Sequence, residues 1–179
     1  QAKTVRFILA WYTPQWYGYK GASNNKFTRA YTLRYSNALD VAYRLAEDHH
    51  DILQRIIKWQ QVVYSDNDMP IWLREALINN LYLITESGYW ALPRPPLGDW
   101  CFPTGLFSMC ESVRGCAQMS CIPCDWYGNL PIVYFYPELA KANLRGFVAY
   151  MLDSGAVPMA FGRSEELADN VTNNNALIR

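Results

Sequence analysis

The chain has 179 residues, 51% of them apolar and 15% aromatic, and its sixteen basic and sixteen acidic residues cancel to a net charge of zero. That length fits one domain or a piece of a larger one. The charge balance excludes the basic footprint of a nucleic-acid binder and a polybasic membrane patch, and no apolar run is long enough to cross a bilayer.

The opening residues, QAKTVRF, show neither the basic nor the apolar region of a signal peptide, and there is no initiator Met. They read as the middle of a longer chain. In KTVRFILAW, Val5, Phe7 and Leu9 alternate with Thr4, Arg6 and Ile8, which predicts a strand over 3–11 ended by Thr13-Pro14. A single strand ahead of helical patterns would be the last strand of a β-domain. Residues 15–26, with Gly18, Gly21 and Asn24-Asn25, read as a linker.

Residues 27–64 form the longest helical pattern. Leu39, Ala42, Tyr43 and Ala46, then Ile52, Leu53, Ile56, Ile57 and Val63, recur at helical spacing, with Ser36 as a cap for the second part. His49 and His50 fall on this helix, and we read them as part of a solvated face rather than as catalytic bases. Pro70 fits the first turn of a second helix running to about Glu86 and ended by Gly88. The two make an αα-hairpin. Asn79-Asn80 inside that helix is anomalous, because asparagine is a poor helix former, and suggests a brace to a neighbouring loop.

Residues 88–103 read as irregular, with Pro93, Pro95, Pro96 and Gly98 among the aromatics Tyr89, Trp90, Trp100 and Phe102. The stretch 106–139 is the one without an obvious packing role. It reads as a Gly-, Cys- and Pro-rich loop leading into a helix from Trp126 to Tyr136, with Asp125 or Asn129 at its start and Pro131 in its first turn. Glu111 and Asp125 are its isolated acids, and carboxylates on a loop among aromatics suit glycoside chemistry. All five cysteines fall within 101–124. Cys121-Ile122-Pro123-Cys124 lacks the second pair or histidines of a zinc site, so we read them as small soft residues lining a tight loop. A last helix runs from Glu138 to Leu152, with Leu139, Leu144, Phe147, Val148 and Met151 as core. The polar tail carries the sequon Asn170-Val171-Thr172.

Several stretches, in order, resemble glycoside hydrolase family 116, the family of non-lysosomal glucosylceramidases and bacterial β-glucosidases. FILAWYTPQW is similar to the end of the N-terminal β-sandwich and its linker. The stretch RYSNALDVAYRLAEDHHDILQRIIKWQQVVYSDNDMPIWLREALINNLYLI is similar to the first helical hairpin of the catalytic domain. LFSMCES and CDWYGNLPIVYFYPELAKANLRGF are similar to the nucleophile loop and the helix pair after it. The most specific piece is the W-x-x-E-A-L-I-N-N-L-Y pattern from Trp72 to Tyr82.

The resemblance implies a mainly α chain: the end of a β-sandwich and its linker over 1–26, then the opening part of an (α/α)6 barrel of the six-hairpin glycosidase type over 27–179. It implies Glu111 as nucleophile and Asp125 as a ligand of sugar hydroxyls, with Arg114, Trp126 and Trp100 completing the substrate site. Where the family has Asn-Thr before that aspartate, this sequence has Pro123-Cys124. The proton donor is expected beyond Arg179, in the remainder of the parent chain. The expected substrate is a β-glucoside or glycolipid, hydrolysed with retention and without metal or organic cofactor, since two carboxyl groups do the work. The other expectation is a non-catalytic helical carbohydrate-binding or scaffolding module. A staple between Glu111 and Arg114 is the structural alternative to catalysis at Glu111.

Overall fold

The structure is a computed structural model describing residues 4–16, 26–86, 88–109 and 120–161, with the backbone alone at 83, 123, 124, 126 and 127. Glu111, Arg114 and the sequon at Asn170 lie outside the described residues. About half of the described residues are helical, and the strands form three small antiparallel ladders.

The strand expected over 3–11 is not formed in its described part. The first ladder pairs β1 (Gln15–Trp16) with β2 (Phe27–Thr28) instead. The period of two survives in exposure: Phe7 and Leu9 are 93% and 82% exposed, while Ile8 is 42% exposed and Ala10 and Tyr12 are half-buried. Arg6 donates to His49 Nε2, His49 Nδ1 donates to Ala46 O at 2.9 Å, and Tyr31 Oη donates to Thr13 O at 2.6 Å. The segment is therefore strapped to the first helix without joining a sheet. His49 serves that strap through both ring nitrogens.

The long helix expected over 27–64 is shorter. After β2 comes a 3-10 turn (Ala30–Leu33), and α1 spans Ala38–Tyr64. Its cap is Asn37 rather than Ser36. The Asn37 Oδ1 accepts from Asp40 N at 2.9 Å, and the Asp40 carboxylate accepts from Ser36 N at 3.0 Å. Asn and Asp both suit this position, so the choice between neighbours is set by local geometry. Along its 27 residues α1 buries only Val63. Its C-terminal end is held by Arg74, which donates to Tyr64 O at 2.6 Å, a cation placed against a helix C-terminus.

Pro70 stands just before α2 (Ile71–Asn79) rather than in its first turn, and the helix expected to reach Glu86 breaks at Asn80-Leu81 before α3 (Tyr82–Glu86). The asparagines mark that break. Asn80 closes α2, and Asn79 Nδ2 donates to Glu75 one turn back at 2.6 Å rather than to a loop.

Gly88 does not end a helix but opens β3 (Gly88–Ala91), which pairs with β4 (Leu106–Met109). The loop expected from 106 thus begins as a strand whose four residues are all buried. Leu106 joins a core with Phe27, Tyr89, Ala91, Ile122, Phe147 and Phe161, while Phe107 and Met109 join a second with Ile132 and Ala140. A strand covered on both faces shows no apolar–polar alternation, which is why LFSM does not read as one. Gly105 turns the chain into β4 with φ +89°, and a Cβ there would collide with Ala91 O. Gly105→Ala should therefore cost about 2 kcal/mol or more in urea unfolding, from left-handed strain plus the clash. A change within experimental error would remove this turn from the frame.

β5 (Ser120–Cys121) runs straight into α4 (Ile122–Phe135), which starts four residues earlier than expected. Pro131 lies well inside it, not in the first turn. The fully buried ring gains packing at the expense of one intrahelical hydrogen bond. One residue, Tyr136, separates α4 from α5 (Pro137–Ala149), and β6 (Ala160–Phe161) returns to pair with β5. In α5 the buried stripe is Ala140, Asn143, Gly146 and Phe147, whereas the expected core residues Leu144, Val148 and Met151 are 61%, 64% and 45% exposed.

Candidate functional site

Asp125 lies in the first turn of α4, four residues past the end of β5. A helix N-terminus favours an ionised carboxylate, but here burial prevails and pushes the Asp125 carboxyl up to about 8. Hydrogen bonding to Ser120 and the nearby Asn143 amide pull the other way, and Cys121 adds a smaller upward push. At neutral pH the group is mainly the protonated acid.

Three elements meet around it. Ser120 Oγ, from β5, donates to Asp125 Oδ2 at 2.7 Å. Asn143 Nδ2, from α5, donates to Ser120 Oγ at 2.8 Å and to Phe107 O of β4 at 3.3 Å. Asn143 is 2% exposed and Ser120 fully buried. Asp125 Oδ1, Asn143 Oδ1 and Ser108 Oγ are buried without a partner. Since Oδ2 accepts from Ser120, the acid proton belongs on Oδ1, so the cluster holds a donor and an acceptor that are both without a partner.

These two groups border a cavity of about 670 Å³. Asp125, Asn143, Ile122, Ala140 and Phe147 form its buried floor. Leu130 and Val133 of α4, and Leu144 and Val148 of α5, form an exposed aliphatic rim, together with half-buried Asn129. A second hollow of about 440 Å³ lies between α1 and Tyr136, lined by Ile52, Arg55, Ile56 and Trp59. Among the described residues, no group of three His, Cys, Asp or Glu side chains is placed to hold a metal ion, and no helix is long and apolar enough to cross a membrane.

Of the residues expected to form a sugar site, only Asp125 reaches this cavity with a described side chain. Trp100 sits edge-on to Tyr150 at 5.7 Å, beside Gly98, as a flank of the first core. Trp90, the other candidate for the rim, donates from Nε1 to Thr104 O at 2.7 Å. Neither lines the cavity. Trp126 is in α4 by its backbone, but its side chain, like Glu111 and Arg114, lies outside what is described. Residues 110–119 join β4 to β5, and both strands are tied to Asn143.

Sequence reading overlooks Ser120 and Asn143. The signal for Asn143 is its place in the helix: with Ala140 and Phe147 it shares the buried stripe, where a polar residue needs a reason to be. Ser120 carries no comparable signal, since its role depends on the ladder with β6. No protein-family model matches the chain.

Proposed function

We propose that this chain is the opening part of the catalytic domain of a retaining glycoside hydrolase, preceded over 1–26 by the end of a β-domain. Its substrates are β-glucosides or glucosylceramide-like glycolipids. Glu111 is the nucleophile, Asp125 receives a sugar hydroxyl, and Arg114 and Trp126 complete the substrate site, while Trp100, expected with them, packs on the first core. The observation that carries this reading is the state of Asp125. The residue matched to a sugar-binding aspartate is buried, braced by Ser120 and Asn143, keeps one carboxyl oxygen without a partner, and borders a cavity. A carboxyl placed this way is pre-organised for a hydroxyl.

In the reaction, Glu111 attacks the anomeric carbon while the proton donor, expected beyond Arg179, protonates the departing oxygen. Water then hydrolyses the glycosyl–enzyme ester. A 2-fluoroglucoside with a good leaving group should trap that ester in the complete polypeptide, adding one fluoroglucosyl unit at Glu111 by peptide mass mapping. Labelling at a different residue, or none with an active protein, overturns the assignment.

A second reading, a non-catalytic carbohydrate-binding or scaffolding module, is favoured by one observation. Phe147 is the one aromatic in the described lining of the cavity, and Trp90 and Trp100 are engaged elsewhere. A complete polypeptide that binds glucosides but is neither labelled nor active would support it.

A further inference from the structure

The smaller hollow, of about 440 Å³ against α1, is lined by three side chains that donate hydrogen bonds and, among the described residues, by no acid. Ile52, Arg55, Ile56 and Trp59 come to it from one helix, three to four residues apart, which sets them side by side. Tyr136 closes it from the joint between α4 and α5. The aromatic wall is fixed in place. Trp59 meets Phe135 edge-on at 5.1 Å, and Tyr136 N donates to Ile132 O at 2.8 Å. The donors are the Arg55 guanidinium, the Trp59 indole N–H and the Tyr136 hydroxyl. Among the described residues none of the three makes a side-chain hydrogen bond or an ion pair, and Asp51, one turn before Arg55, is not paired with it. Arg55 is exposed, so its long side chain is free to fold over the hollow. A cation beside apolar and aromatic surface, with no carboxylate in the lining, is complementary to an anion that carries an apolar body.

We propose that this hollow binds an aromatic carboxylate, its ring lying against Trp59 and Tyr136 and its carboxylate held by Arg55. An arginine fork matches the two oxygens of a carboxylate, aromatic walls suit a planar ligand, and the volume is that of a small-molecule site. The site uses none of the residues of the hydrolase reading and is tested by binding alone, so either can fail without the other.

The test is a titration of the protein with 3-phenylpropionate at low salt, followed by NMR. Saturable shifts are expected at the Trp59 indole N–H and the methyls of Ile52 and Ile56, with half-saturation at about 1–10 mM, the range for so small a ligand. 3-Phenylpropionamide, which has the same shape and no charge, should bind about fivefold more weakly, the size of one exposed arginine–carboxylate pair. Raising sodium chloride to about 1 M should remove most of that preference. Arg55→Gln should bring acid and amide to equal affinity without moving the urea midpoint, because the side chain is exposed and holds no bond among the described residues. Arg55→Lys, which keeps the charge and loses the fork, should fall between. Equal affinity for acid and amide in the unaltered protein overturns the proposal and leaves an apolar hollow. Tighter binding of 3-phenylpropylammonium overturns it in favour of a cation seated on the aromatic faces. Shifts that grow in proportion to ligand without saturating overturn it as well, since the three donors then meet only water.

Discussion

Asp125→Asn should flatten the pH dependence of stability between about pH 4 and pH 8. The folded chain holds the Asp125 proton up to about 8, whereas its ordinary value is 3.8. Between those limits the native state binds more protons than the unfolded state, so stability falls as pH rises, by at most ~1.4 kcal/mol per pH unit. The contribution of the buried acid is complete below pH 3.8 and lost on passing about pH 8. Asparagine keeps an oxygen for the Ser120 hydroxyl and a donor for the cavity, and it does not titrate. The variant should therefore gain on the parent chain as pH rises and exceed it at pH 8. Urea unfolding midpoints measured across this range decide the matter. An identical slope in the two proteins would mean that Asp125 is ionised in the folded chain.

Phe161→Ala should be among the most damaging single truncations in the described structure. Phe161 is 1% exposed, stacks on Tyr150 at 5.1 Å and meets Phe147 edge-on at 5.0 Å. Its ring occupies the space in front of Gly146, where a Cβ would come within 2.6 Å of it. Removing it loses the burial of an aromatic ring and leaves a void between β6 and α5, for a cost of about 3–5 kcal/mol. Against a typical stability of roughly 5–15 kcal/mol, that loss should be visible as a large drop in the urea midpoint. It should also loosen Asn143, one turn from Gly146 on the same helix, and broaden its side-chain amide resonance. A loss below about 1 kcal/mol would show that β6 is not part of the core.

The helices were readable from sequence because their signals are local. The apolar spacing and absence of Gly and Pro over α1, Pro70 ahead of α2, and the Phe147 stripe of α5 all act within a few residues. Boundaries moved where neighbours compete for one role, as Ser36 and Asn37 do for the cap. The ladders were not readable. Each depends on a partner distant in sequence: Phe107 opposite Trp90, Cys121 opposite Ala160. LFSM has no alternation to show, being covered on both sides. The site divides the same way. Asp125 stands out as an acid among apolar residues, but what makes it a protonated group is burial, supplied by the packing of α4 with a ladder and a helix. The core expected of Leu144 and Val148 went astray because α5 turns its small residues inward and leaves these two as the rim of a cleft.

The Asn143 amide grips Phe107 O on one side and Ser120 Oγ on the other, 36 and 23 residues away in sequence. It acts as a clasp on the two ends of the stretch that contains Glu111. The two strands are thus held to one another by a single side chain of a third element, α5, as well as by their own ladders.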